Sequence, residues 1–316
     1  MNKTTLIDKI MPDYSNDICY FLLPYGLGDS LILASLKEKI ETFYNFKIHF
    51  LIKHTHKIIM DMYNIDSYTV INIPNKKVLD KFKDANKIQK GEIFIAHPLF
   101  TKNTSFINDF NAGKLSFYDM YLKMLNLPAD TKFNSNIFNK LNINKTLQVK
   151  LEKYEIKNLS NVVLIAPEAD SCPVLPNTYW ENIIKKYKSL GYDIISNVKN
   201  KKNLIRGTKY IPLTILEAIL IAQNCAGVIS LRSGFCDLVA LKHKGFLKVL
   251  YPNIDILNLY SLKRSFGYKN IEEQIVNLYM YKMYIYIFGI KIFKFYKLKT
   301  FQSFKLKFLG HTILND

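Results

Sequence analysis

The chain has 316 residues, 49% of them hydrophobic, and a formal net charge of +18. Its length and apolar content exclude a disordered chain and predict two domains of ordinary size. The charge favours anionic partners (nucleic acid, an anionic membrane surface or nucleotides), and no run of about 18 uninterrupted apolar residues offers a membrane-spanning helix. The four cysteines, Cys19, Cys172, Cys225 and Cys236, have neither Cys-x-x-Cys nor zinc spacing and read as reduced thiols. The first residues lack the apolar core of a signal peptide, so a cytoplasmic chain is expected.

The first half alternates strand and helix patterns. Residues 18 to 23 form a continuous apolar run, as in a central parallel strand. A glycine turn at Gly26 and Gly28 follows, and Asp29 or Ser30 is placed to cap the next helix, whose apolar side carries Leu31, Ile32, Ala34, Leu36 and Ile40. Strands are predicted at 48 to 52, 68 to 73 and 92 to 96, the last ending at His97 and Pro98. Thr55 is placed to cap a short helix, a lysine-rich helix is predicted from about 76 to 88, and 103 to 113 reads as a polar loop. Ser116 opens a helix carrying Tyr118, Met120, Tyr121, Met124 and Leu125.

The pattern restarts after a polar stretch with one helix from about 129 to 160. Strands are predicted at 162 to 166, 192 to 196, 228 to 229 and 246 to 250, with helices at 178 to 190, 212 to 223 and 235 to 243. The expected architecture is α/β: two doubly wound domains, 1–150 and 151–275, facing each other, with a basic, aromatic tail at 276–316. No acidic residue lies between Glu273 and Asp316, and the tail's lysines alternate with Tyr, Phe, Ile and Leu. Such a tail suits an anionic membrane surface, a basic edge hairpin packed on the protein, or nucleic acid.

The most informative stretch is Leu231, Arg232, Ser233 and Gly234, between a buried strand and a helix. A helix N-terminus offers unpaired N–H groups and partial positive charge, Gly234 permits close approach, and Arg232 adds a forked cation. Only three of the 44 basic residues are arginine, namely Arg206, Arg232 and Arg264. A scarce arginine at a strand end points to bidentate binding of an anion, a phosphate above all. In the first half, Gly26 and Gly28 leave room for a ligand, while the turn is neither a dinucleotide fingerprint nor a Walker loop. Asp29 reads as a helix cap or as a base for an attacking hydroxyl. Glu168 and Ser171 follow the first strand of the second half and suit a sugar hydroxyl and a phosphate, or a solvated loop. Asn197 suits a nucleotide contact or a turn, and His97 ends a strand on the same cleft. His54 and His56 have no third ligand in sequence, so no metal is assigned. Trp180 reads as helix core.

Three segments together resemble the bacterial GT-B glycosyltransferases, in particular the heptosyltransferase-like group, glycosyltransferase family 9-like, that builds surface polysaccharide. They are Gly26 to Leu31; Val163 to Ser171 with Tyr179, Trp180, Gly191 and Tyr192; and Ile229 to Asp237. The resemblance implies an inverting transfer from a nucleotide-sugar, as substrate, to a lipooligosaccharide, capsule or other glycan acceptor. It implies no tightly bound cofactor or metal. It puts the base on Asp29 and the acceptor beside Gly26, Gly28 and His97. The donor falls to Arg232, Ser233 and Gly234, with Ser171, Glu168 and Asn197 around it. A cytoplasmic enzyme resting on the inner membrane through its tail, with no nucleic-acid partner, is the corresponding expectation. A nucleotide-sugar epimerase of the same fold and a basic nucleic-acid-binding protein are the alternatives.

Overall fold

The computed structural model describes residues 15–74, 76–80, 86–101, 105–135, 143–170 and 172–276, and the strand backbones within 280–315. The first sheet is parallel, in the order β3-β2-β1-β4. Its strands are β1 (Ile18–Leu22), β2 (Lys47–Ile52), β3 (Tyr68–Val70) and β4 (Ile93–Ile95). Central β1 is buried along almost its whole length, because helices cover both faces of a parallel sheet. The helices of this half are α1 (Leu27–Tyr44), α2 (Lys57–Met62), α3 (Lys76–Asp80), α4 (Ser105–Asn111), α5 (Phe117–Met124) and α6 (Lys145–Lys153).

The second sheet is also parallel, in the order β10-β9-β8-β5-β6-β7. Its elements are β5 (Val162–Ala166), α7 (Asn177–Ser189), β6 (Asp193–Ser196), β7 (Lys209–Tyr210), α8 (Ile215–Asn224), β8 (Gly227–Leu231), α9 (Gly234–Leu241), β9 (Phe246–Tyr251), α10 (Ile254–Tyr260), α11 (Leu262–Phe266) and β10 (Glu272–Ile275). In the tail, the backbones of β11 (Met280–Ile287), β12 (Ile290–Leu298), β13 (Phe304–Phe308) and β14 (His311–Asn315) pair antiparallel in sequence order. The lysine and aromatic side chains of that segment lie outside the described residues. Among the described residues no helix is long and apolar enough to cross a membrane.

Several local expectations are corrected. Helix α1 starts at Leu27 with Gly26 at the N-cap position, so Asp29 caps it from the third helical position, its carboxylate accepting the Gly26 N–H. Thr55 lies inside a one-turn 3-10 helix, and the helix after it is capped by no side chain. The segment expected as a polar loop holds α4, because Phe106 and Phe110, four residues apart, bury one face of it. The lysine-rich helix is helical over Lys76–Asp80, whereas Asn86 holds the backbone of Ile95 and of Phe100 through its side-chain amide, and Ile88 is not helical. Helix α8 begins three residues later than expected, where Thr214 and Glu217 form a capping box.

The two halves meet at helix N-termini. A Cβ on Gly28 would overlap the Asp237 carboxylate, and one on Gly234 would come within 2.9 Å of the Gly28 backbone N. Glycine at both positions is what lets α1 and α9 approach this closely. The contact continues through the Phe117 and Tyr260 rings, 5.4 Å apart, and through Arg264 Nη2, which donates to the Gly113 carbonyl at 2.6 Å.

Candidate functional site

In each parallel sheet the expected residues sit at the carboxyl ends of the strands, where open α/β sheets place ligands. Gly26 and Asp29 follow β1, and His97 follows its neighbour β4. Glu168, Asn197 and Arg232 to Gly234 follow β5, β6 and β8, which are adjacent in the second sheet.

Asp29 is held on both oxygens. Its Oδ2 accepts the Gly26 N–H at 2.9 Å, and its Oδ1 accepts the Tyr121 hydroxyl at 2.5 Å. His97 Nε2 stands 3.9 Å from the same Oδ1. His97 Nδ1 accepts the Leu99 N–H at 3.2 Å, which puts the proton of the neutral ring on Nε2, facing Asp29. Burial lowers the His97 pKa below its ordinary 6.5, with Asp29 pulling the other way. The ring is wedged edge-on against Tyr25 at 4.6 Å. Behind Asp29, Ser30 shares a buried 2.8 Å hydrogen bond with His56, whose pKa burial pushes down to about 4. That neutral pair fixes the first turn of α1 from within the core.

Arg232 departs from expectation. Its side chain is only 5% exposed and points inward instead of into the cleft. Nε donates to the Tyr260 carbonyl at 2.8 Å, and Nη1 donates to the Ser233 carbonyl at 2.7 Å and to Asp237 Oδ2 at 3.2 Å. Nη2 lies 2.9 Å from Asp237 Oδ1, off the hydrogen-bond axis, so that contact is ionic. The physical reason is Asp237 itself, a carboxylate in an otherwise apolar helix, which requires a buried partner. Burial raises the Asp237 pKa to about 6, against the pull of Arg232 and with help from the Asp29 charge. Arg232 thus organises the turn around Ser233 and Gly234, with its charge balanced by Asp237.

Glu168 is engaged as well. Its Oε2 accepts the Lys199 N–H at 2.7 Å and its Oε1 accepts the Asn203 amide at 2.6 Å, tying the loop after β5 to the loop after β6. Asn197 is half-buried and continues the sheet by donating its backbone N–H to Ile165 at 2.8 Å. Ser171 lies outside the described residues. Trp180 is core, 1% exposed. Among the described residues no three His, Cys, Asp or Glu side chains gather as metal ligands. Two surface hollows, of about 170 and 710 Å³, lie on the outer flank of α1 and contain none of the candidate residues.

Tyr121 and Asp237 are partners of the candidate residues Asp29 and Arg232 that sequence reasoning passes over. Tyr121 looked like one more apolar position on α5, and its partner is 92 residues away. Asp237 carried a signal, since a lone carboxylate five residues after a scarce arginine, inside an apolar helix, is a candidate buried pair.

Two parallel α/β sheets, in halves that meet at the N-termini of α1 and α9, match the GT-B architecture of glycosyltransferases. Solved structures with this fold include the iron-containing dodecameric glycosyltransferase TibC from enterotoxigenic E. coli, at 15% identity and a TM-score of 0.52 over 76% of this chain and 59% of that one. E. coli ADP-heptose LPS heptosyltransferase II matches at 11% identity and a TM-score of 0.52, over 84% of this chain and 90% of that one. A glycosyl transferase family 9 protein from Veillonella parvula matches at 12% and 0.53, over 84% and 86%. The chain spans about three-fifths of the length of TibC. No protein-family model matches the chain, and no curated protein does.

Proposed function

We propose that the protein is a glycosyltransferase that moves a sugar from a nucleotide-activated donor to a hydroxyl of a lipooligosaccharide, capsule or other surface glycan. The observation that carries this reading is the Asp29 carboxylate, oriented on both oxygens at the end of β1 and set beside the N-terminus of α9 from the other half. Asp29 is the base. A hydroxyl oxygen about 2.8 Å from both Asp29 Oδ1 and His97 Nε2 would subtend about 90° between them, so one hydroxyl can donate to the carboxylate while accepting from the imidazole.

In the reaction Asp29 takes the acceptor proton, and the acceptor oxygen forms the new bond to the anomeric carbon. The bond from that carbon to the diphosphate breaks, and its electron pair leaves with the nucleoside diphosphate. Attack from the side opposite the leaving group inverts the anomeric centre. Ser233, Gly234 and the first turn of α9 are assigned to the diphosphate, with Arg232 bracing that turn from behind through the Ser233 carbonyl. Glu168 and Asn197 are assigned to the rest of the donor, with Ser171 beside them in sequence, and Gly26, Gly28 and His97 to the acceptor. The tail, whose one acidic residue is Asp316, is the element for an anionic membrane surface, where a cytoplasmic enzyme would meet a lipid-linked acceptor.

The test is a panel of nucleotide sugars screened by thermal shift, followed by turnover with a glycolipid acceptor. A stabilising nucleotide sugar whose release of nucleoside diphosphate depends on the acceptor supports the reading. A chain that no nucleotide stabilises refutes it.

A further inference from the structure

We infer that Tyr121 is a positioning residue for the transfer, holding the Asp29 carboxylate in its reactive orientation from helix α5; this rests on Asp29 being the base. The Tyr121 hydroxyl is fully buried and donates to Asp29 Oδ1, the oxygen that faces His97. Burial and the neighbouring Asp29 charge hold the phenol pKa well above its ordinary 10, so it remains a donor throughout the working pH range. The Gly26 N–H holds the other oxygen, and these two bonds together fix the rotation of the carboxylate. The free lone pair of Oδ1 then meets the acceptor hydroxyl at the His97 side.

The support behind Tyr121 is built for rigidity. Its ring packs edge-on against Phe117 at 5.5 Å, and Phe117 packs on Tyr260 of the second half. The first turn of α5 is closed by a Ser116 and Asp119 capping box. At the opposite end the Tyr44 hydroxyl, from the last turn of α1, donates to the Leu125 carbonyl at 2.9 Å. Helices α1 and α5 are therefore tied to each other at both ends of their contact, and the Tyr121 to Asp29 bond is the tie at the site. A carboxylate set loose by one bond rotates, and misplacement on the order of 1 Å costs about 100-fold in rate.

The experiment compares wild type, Tyr121→Phe, Asp29→Asn and the double variant. It measures kcat and donor KM in the transfer assay and nucleotide affinity by calorimetry. Tyr121→Phe keeps the ring and its packing, so nucleotide affinity stays at the wild-type value. Expected is a loss in kcat of about 10- to 100-fold with donor KM within about twofold, and no further loss when Tyr121→Phe is added to Asp29→Asn. Unchanged kcat in Tyr121→Phe, or a parallel loss of nucleotide affinity, overturns the positioning role. Full activity in Asp29→Asn overturns the base assignment itself, a separate outcome read from a separate variant.

Discussion

Replacing Arg232 by methionine keeps much of the side-chain volume and removes the donors that hold Asp237, the Tyr260 carbonyl and the Ser233 carbonyl. The Asp237 side chain is 1% exposed, so the lost partner is not replaced by water. Breaking a buried ion pair in this way costs about 3–5 kcal/mol, a large part of the roughly 5–15 kcal/mol that holds a typical domain together. The cost depends on pH. The Asp237 pKa stands at about 6, above its ordinary 3.8, so the native state keeps this proton to higher pH than the unfolded chain does. This group's contribution to stability therefore falls as pH rises from 3.8 to 6, and without Arg232 that window extends upward. Urea unfolding at pH 7.5 and at pH 5 reads both effects: Arg232→Met loses about 3–5 kcal/mol at pH 7.5 and less at pH 5. Adding Asp237→Leu restores much of the loss at pH 7.5, because the uncompensated charge is gone. A loss below about 1 kcal/mol, accompanied by a large drop in nucleotide affinity, would refute the reasoning and return the guanidinium to the ligand.

Other expectations follow from neighbouring residues. The His56 pKa, pushed down to about 4 from 6.5, makes its contribution to stability full above pH 6.5 and progressively lost toward pH 4, by about 3 kcal/mol in all. Asp237 acts in the opposite direction over nearly the same range, so the effect is read as the difference in unfolding free energy between wild type and His56→Gln at pH 7 and pH 4.5; parallel curves would contradict it. Gly28→Ala places a methyl into the Asp237 carboxylate and forces α1 and α9 apart, with an expected loss of about 1–3 kcal/mol by urea unfolding; a neutral substitution would show that the contact is loose. Glu168→Ala frees the loop after β6, so limited proteolysis should cut near Lys199 to Lys202 faster than in wild type.

The elements that sequence made legible are those whose cause is local. The apolar run of β1, the glycine turn after it, the Ser116 cap and the strand-turn-helix at Arg232 all stand where expected, because each depends on residues within a few positions of one another. Helix α4 was missed because its apolar face is only two phenylalanines wide among polar residues. The direction of Arg232 was missed for a different reason. Residue type and strand position identify a scarce cation at a functional edge, but the side chain turns toward whichever charge is buried nearby, and that is settled by the packing of α9 and α10. The Tyr121 to Asp29 bond joins positions 92 residues apart, and no spacing rule reaches that far.

The most direct measurement of the central claim follows nucleoside diphosphate release and the fate of the sugar, with and without a glycolipid acceptor, for wild type and Asp29→Asn. The account predicts release that requires acceptor, a glycosylated product, and turnover lowered by at least about 100-fold in Asp29→Asn while nucleotide affinity is unchanged. Conversion of the donor sugar without acceptor, or full transfer by Asp29→Asn, would contradict it.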